Sequence, residues 1–415
     1  MSRKNILMII PNLTYGGAEL DFCKVANGLS EFHNVYVVCF EKCVIPFELR
    51  PQIAFMGVGG GSNYYTKFLR FLERLRFTRA FRKEKEIDVS ISYLEGANYL
   101  NLLSGKNSTT IISTRGSIKH DETMTGFLGF MRRRIFIPIL YNRSEIIVSI
   151  NHGILRELNS LGIRRPDKYV IGTSYNVEKI TQLALESVED EIQSVFKSPV
   201  IVTSGRLAIE KGYRFLIEAF VELKKSVTNA KLIFLGEGPE KMKLSQLAKF
   251  HDLQVYLKGI DKNTVLNNSD VLFLGFQSNP YKYISKARIF TITSSSEGGP
   301  NVLCEAMLCK TPVVSVDCPT GPREKIAPNT LRNTKPITCE EIHENGFLMP
   351  EFKGRNIDSA IKIWGNTLSN RLKIGFDEKL VKSAFHYVKS NFSSEIIIEK
   401  WNRLLLETEK QKDFK

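Results

Sequence analysis

Ser294-Ser295-Ser296-Glu297-Gly298-Gly299-Pro300-Asn301-Val302-Leu303-Cys304-Glu305-Ala306-Met307 is the stretch on which the fold turns. The β-branched, apolar residues Ala287–Thr293 before it have the pattern of a buried strand. After Pro300, Val302, Leu303, Ala306 and Met307 recur at helical spacing. The glycines therefore lie between a strand and a helix, with Glu297 at the carboxyl end of the strand. Backbone N–H groups at a helix start, with the positive end of the helix dipole, suit a phosphate. Gly298 and Gly299 allow close approach, and Pro300 preorganises the first turn without wasting a donor. Glu305, eight residues after Glu297, can accept hydrogen bonds from a vicinal diol such as a ribose. Glu297 would be repelled by a phosphate, so it is expected to meet sugar hydroxyls. The stretch reads as a cradle for a nucleotide sugar.

A second strand-turn-helix unit supplies the opposite charge. Pro199–Ser204 has strand character and runs into Gly205-Arg206-Leu207-Ala208-Ile209-Glu210-Lys211-Gly212. Arg206 and Lys211 flank a turn at the mouth of a parallel sheet. Two cations converging on a diphosphate neutralise a leaving group as a glycosidic bond breaks. The chain contains no D-x-D triplet and no C-x-x-C pair or metal-like Cys/His cluster, so metal is expected to be absent and the cations to replace it.

These residues resemble a known family. Glu297 and Glu305, in the frame E-G-G-P-N-V-L-C-E-A-M, resemble the E-x7-E motif of retaining GT-B glycosyltransferases of family four, the glycosyl transferases group 1. The G-R-L…E-K-G frame, Lys310–Ser315, Asp317–Glu324 and Gly346–Pro350 extend the likeness. It implies an α/β chain with two Rossmann-like doubly wound domains facing across a cleft. It also implies a metal-independent transfer of a hexose or N-acetylhexosamine with retention of configuration. By the same likeness Arg206 and Lys211 bind the diphosphate, beside the backbone of Gly298, Gly299, Pro300, Asn301, Val302 and Leu303, and Gly259 and Ile260 lie near the base. UDP is the expected nucleotide on family prevalence, and no further cofactor is expected.

The chain opens with a buried-strand run, Ile6–Ile10, followed by Gly16-Gly17 and a helical pattern through Leu29, the first unit of a doubly wound domain. In the resembled family this glycine pair borders the donor phosphates and the acceptor. Thr109–Thr114 reads as a strand whose end carries Arg115, with His120 beyond it, and both are site candidates because strand ends face the cleft in such sheets. His120 is the candidate for the histidine that in relatives contacts the transferred sugar. The expected organisation is an acceptor domain over residues 1–177 and a linker over 178–198. A donor domain follows over 199–385, and the tail, 386–415, packs back across both.

Composition excludes several classes. With 415 residues, 43% of them hydrophobic and 25% charged, the chain is globular and long enough for two cores. Its apolar runs are far shorter than the ~20 residues of a membrane span. Seven cysteines, an odd number, fit a reduced, cytoplasmic setting. The formal charge of +14 calls for an anionic partner. Basic and aromatic residues interleave over 67–85 and 127–141, as in a helix lying on an anionic membrane surface. A solvated helix face over an ordinary core fits the same pattern, and no nucleic-acid signature accompanies it. The expected partners are a nucleotide-sugar donor, a lipid-linked or glycan acceptor and the inner face of the cell membrane. The likeness to bacterial enzymes that build lipopolysaccharide O-antigen or capsule carries that acceptor class. Two rivals stay open: a sugar-nucleotide epimerase or hydrolase of the same fold, and a basic binding protein with a relict site.

Overall fold

A computed structural model describes residues 3–412, apart from 15, 62, 106–107, 120–123, 125, 262–265 and 331–335. The chain divides into two compact units, residues 1–174 with 392–415, and residues 175–391.

The first unit is built on seven strands: β1 (Asn5–Ile10), β2 (Asn34–Cys39), β3 (Gln52–Phe55), β4 (Val89–Tyr93), β5 (Thr109–Thr114), β6 (Ile146–Ser149) and β7 (Asp167–Val170). They pair, all parallel, in the order β3-β2-β1-β4-β5-β6-β7. Continuous apolar runs such as Leu7–Ile10 form these strands because helices cover both faces of the sheet. The order reverses between β1 and β4, so the turns leaving those strands diverge and open a crevice at their carboxyl ends. Helix Ser394–Lys412, from the chain's end, seals one face of this unit. Its Ile397, Trp401, Leu404 and Leu405 are buried against β1, β4 and helix Gly17–Leu29. Gly28 is required there, since a Cβ would stand 2.4 Å from Ile398.

The second unit holds β8 (Val200–Ser204), β9 (Lys231–Leu235), β10 (Val255–Leu257), β11 (Val271–Phe273), β12 (Ile289–Ile292), β13 (Val313–Val316), β14 (Glu341–His343) and β15 (Gly346–Met349). Their order is β10-β11-β9-β8-β12-β13-β15-β14, with only β14 antiparallel to its neighbour. The order reverses at β8 and β12, which brings the two turns singled out in the sequence side by side. Phe220, Phe234, Phe273, Phe347 and Trp364 anchor this unit's core.

Some details differ from the sequence reading. Residues 178–198, expected as a linker, form helices Val177–Ala184 and Asp190–Gln193 inside the second unit, with Ile180, Ile192 and Val195 buried. The segment 52–55, which the sequence does not mark out, is an edge strand too short to show alternation. Gly346–Met349, quoted above only for the likeness it extends, is a buried strand. The cysteines are all free, and five of the seven are buried.

Candidate active site

The turn after β8 begins at Gly205 and closes with a short 3-10 helix, Ile209–Lys211. Gly212 ends it at φ +64, and a Cβ there would lie 2.2 Å from the carbonyl oxygen of Thr293. Only glycine lets this turn lie against the one that follows β12. The two turns are laced together. Thr293 Oγ1 donates to Lys211 O at 2.9 Å, and the Ser295 N–H to Glu210 O at 2.8 Å.

Lys211 Nζ and Glu297 Oε1 meet at 2.7 Å, and Ser294 Oγ donates to the same oxygen at 2.6 Å. The Glu297 side chain is 9% exposed and that of Lys211 26%. Burial alone would pull the ammonium down. The neighbouring carboxylate more than reverses this and holds Lys211 above the usual lysine range. Glu297 Oε2 has no hydrogen-bond partner recorded among the described residues, and Lys211 has spent one of its three donors. Thr320 Oγ1 donates to Glu297 O, fixing the backbone from the side of β13. Gly321, at φ +95, brings that segment close, since a Cβ would stand 2.6 Å from Pro300 Cδ.

Arg206 is 69% exposed, and its guanidinium pairs with Glu210, four residues on. Burial pushes the Glu210 carboxyl up, but its own backbone N–H and Arg206 outweigh it and leave it below the usual range. The two cations thus stand on the same turn, each against its own carboxylate.

Helix Asn301–Leu308 starts one residue later than the sequence suggests, with Pro300 in the cap position rather than in the first turn. Its buried side is Leu303, Cys304, Ala306 and Met307. Gly298 and Gly299 do not adopt positive φ, so their use is the absence of a side chain rather than an unusual backbone. The Leu303 N–H donates to Pro300 O at 3.0 Å, and Asn301 Oδ1 accepts from the Tyr175 hydroxyl at 3.1 Å. Glu305 is half-buried on this helix and takes a hydrogen bond from Tyr281, whose hydroxyl is held far above its ordinary range by burial and by that carboxylate. Tyr281 is therefore a donor that orients Glu305. Ser294, Thr320, Tyr281 and Tyr175 escaped the sequence reading, because their roles depend on contacts between segments far apart in the chain.

Gly259 and Ile260 follow β10, the edge strand, at the same carboxyl edge of the sheet. Gly259 turns the chain at φ +84, and Ile260 is 55% exposed. Three strand spacings separate them from β8, roughly 14 Å, a span suited to the length of a nucleotide diphosphate.

Gly16 and Gly17 belong to the first unit. Gly16 caps helix Gly17–Leu29, and Glu19 folds its carboxylate back over it, pushed above the carboxylate range by burial. At this unit's own crevice, Arg115 pairs with Asp21 at 3.0 Å and lies over the Tyr93 ring at 4.1 Å. Asp21 Oδ1 also accepts the Ser174 N–H at 2.8 Å. His120 lies outside the described residues.

Two doubly wound units, with paired charges at the second unit's switch point, are the setting in which the comparisons with known proteins belong. Residues 186–335 match the family model of the glycosyl transferases group 1. That segment, about a third of the chain, is similar to the group. An uncharacterised glycosyltransferase of Methanocaldococcus jannaschii is 38% identical over 160 residues, 38% of this chain and 36% of that one, so only about a third of its length is matched. The N-acetylgalactosamine-N,N'-diacetylbacillosaminyl-diphospho-undecaprenol 4-alpha-N-acetylgalactosaminyltransferase of Campylobacter jejuni is 27% identical over 388 residues, 92% of this chain and 98% of that one. A lipopolysaccharide core biosynthesis glycosyltransferase of Rhizobium meliloti is 26% identical over 270 residues, 64% of this chain and 65% of that one. Among solved structures, Anabaena HepE in complex with UDP and glucose superposes with a TM-score of 0.70 at 15% identity, over 98% of this chain and all of that one. The fold of this chain is therefore GT-B.

Proposed function

We propose that this chain is a group 1 glycosyltransferase that moves a hexose or N-acetylhexosamine from a UDP-sugar to a lipid-linked or oligosaccharide acceptor of a bacterial surface glycan, with retention of configuration. The observation that carries the reading is the Lys211–Glu297–Ser294 contact at the β8/β12 switch point, with Glu305 on the helix that follows. Lys211 and Arg206 stabilise the diphosphate as it departs, in the manner of preorganised charge at a developing anion, so the reading needs no metal. Glu297 Oε2 accepts from a hydroxyl of the transferred sugar, and Glu305, oriented by Tyr281, accepts from the ribose. The bond from the anomeric carbon to the phosphate oxygen breaks. The acceptor oxygen bonds to that carbon on the same face, and its proton passes to the departing phosphate. The acceptor class follows the undecaprenyl-diphosphate-linked substrate in the name of the Campylobacter relative.

The membrane enters through the first unit. The helical segment Gly126–Tyr141 exposes Phe127, Leu128, Phe130, Phe136 and Ile139 beside Arg134. Helix Tyr64–Glu84 exposes Tyr65, Phe68 and Leu69. Both pack against helix Glu95–Ser104, hence on one face of the sheet. Apolar side chains beside arginine suit the cytoplasmic surface of an anionic bilayer. Among the described residues no helix is long and apolar enough to cross a membrane.

Thermal unfolding across UDP- and GDP-sugars tests the donor reading. A donor at a hundred times its dissociation constant adds about 2.7 kcal/mol to the wild type, and much less to Glu305→Ala. Mass spectrometry with a polyprenyl-diphosphate-linked saccharide then reports transfer. Free sugar or an isomerised donor formed without acceptor would establish the epimerase or hydrolase alternative instead.

A further inference from the structure

The second unit carries a separate cavity of about 920 Å³ on the opposite edge of its sheet. Ser198 and Pro199, which lead into β8, Arg288, which leads into β12, and Pro312, which leads into β13, form one side. These strands run parallel, so the cavity lies at their amino ends and the Lys211–Glu297 site at their carboxyl ends. Strands of four or five residues put roughly 13–17 Å between the two. The opposite side comes from the end of helix Ile357–Ile374 and the start of helix Glu378–Phe392.

Besides Lys382, five cations line this cavity: Lys197, Arg288, Lys310, Arg371 and Lys373. Among the described residues none has a recorded ion pair, and the one carboxylate in the lining, Glu378, is already matched to Lys382 at 3.0 Å. Elsewhere in the same unit lysines meet carboxylates, as Lys224 does Asp270 and Lys241 does Glu237. A helix carboxyl end accounts for Arg371 and Lys373 by itself. It does not account for Lys197, Arg288 and Lys310, which converge from three other segments. Arg371 lies over the Phe347 ring at 4.7 Å, and its Nε is buried without a hydrogen-bond partner. Lys310 stands over Phe385 at 5.2 Å. The floor is apolar, with Phe196, Leu372, Phe376 and Phe385.

Clustered like charges around a concave apolar surface repel one another and focus a positive potential into it. A multiply charged anion relieves that repulsion, and a flat or aliphatic portion covers the floor. We propose that this cavity is a second anion site, taking a phosphate-bearing molecule whose aromatic or apolar part lies on Phe196, Leu372 and Phe385. A nucleotide and a phospholipid headgroup share that chemistry. The site touches the leading ends of β8 and β12, whose other ends carry Lys211 and Glu297, but it is built from none of the donor residues.

Calorimetric titration with pyrophosphate, ATP and dihexanoyl phosphatidic acid tests the proposal. The proteins are the wild type, Lys211→Ala, and the double variant Arg288→Glu/Lys373→Glu. These two positions are exposed, so the double variant should fold, and circular dichroism checks it. At least one probe should bind the wild type, keep its affinity within threefold in Lys211→Ala, and lose tenfold or more in the double variant. Lys197→Glu should repeat that loss. ATP binding more tightly than pyrophosphate supports the site with a nucleotide as its ligand, and tightest binding by the lipid supports it with a headgroup. Binding that survives in the double variant, binding that disappears in Lys211→Ala, or no heat from any probe at millimolar concentration would overturn it.

Discussion

The two units place a cation and a carboxylate at equivalent points, the carboxyl edge of a doubly wound sheet where its strand order reverses, and treat them differently. In the first unit Arg115 and Asp21 are sealed, with side chains 4% and 2% exposed, and Asp21 also holds the Ser174 backbone. In the second, Lys211 keeps 26% of its surface and Arg206 keeps 69%. A buried pair stabilises its surroundings only while both partners remain, whereas a half-open pair can exchange its partner for a ligand. Equivalent topology thus yields a sealed joint in one unit and, on the proposed reading, a chemical site in the other.

The largest effect that would sharpen this contrast is on the sealed pair. Asp21→Ala strands the Arg115 guanidinium, and urea denaturation should show about 3–5 kcal/mol of lost stability. A loss below ~1 kcal/mol would break the comparison. Next in size, Lys211→Ala should reduce turnover by about 10²–10³ on the proposed reading, with a smaller loss of stability than Asp21→Ala because the pair is partly open to water. A turnover within threefold of wild type would remove Lys211 from the chemistry. Gly321→Ala should cost about 1–3 kcal/mol, because φ +95 and Pro300 leave no room for a Cβ, and urea denaturation reads it. The smallest expected effect is that of Arg206→Ala on stability. Its partnership with Glu210 is exposed, so the midpoint should move by less than ~1 kcal/mol while donor affinity falls.

Lys211 also gives the contrast a pH signature. Its proton is held more tightly in the folded chain than in the unfolded one, so the pair's contribution is complete below the ordinary lysine pKa. The contribution is lost as pH rises through the higher folded value. Stability of the second unit should therefore fall with pH in the alkaline range, and Lys211→Met should flatten that part of the profile.

Glycine and proline at fixed offsets, β-branched runs and helical spacing made both switch-point turns of the second unit legible, because each is a local strand-turn-helix transition written in consecutive residues. Glu297, Glu305, Arg206 and Lys211 could be named for the same reason. The edge strand 52–55 and β15 were not legible, since a four-residue strand has no period to display and exists only by pairing with a neighbour. Tertiary structure alone decided which groups touch. Ser294 joins Lys211 on one oxygen of Glu297, Tyr281 aims Glu305, and cations from several distant segments converge at the amino ends of the strands. The sequence by itself determined the elements and the chemistry their turns can offer, because those are encoded over a few neighbouring residues. Partnership, burial and the second cavity were decided by the packing of strands distant in the chain, since desolvation and charge pairing depend on what folding brings within a few ångströms.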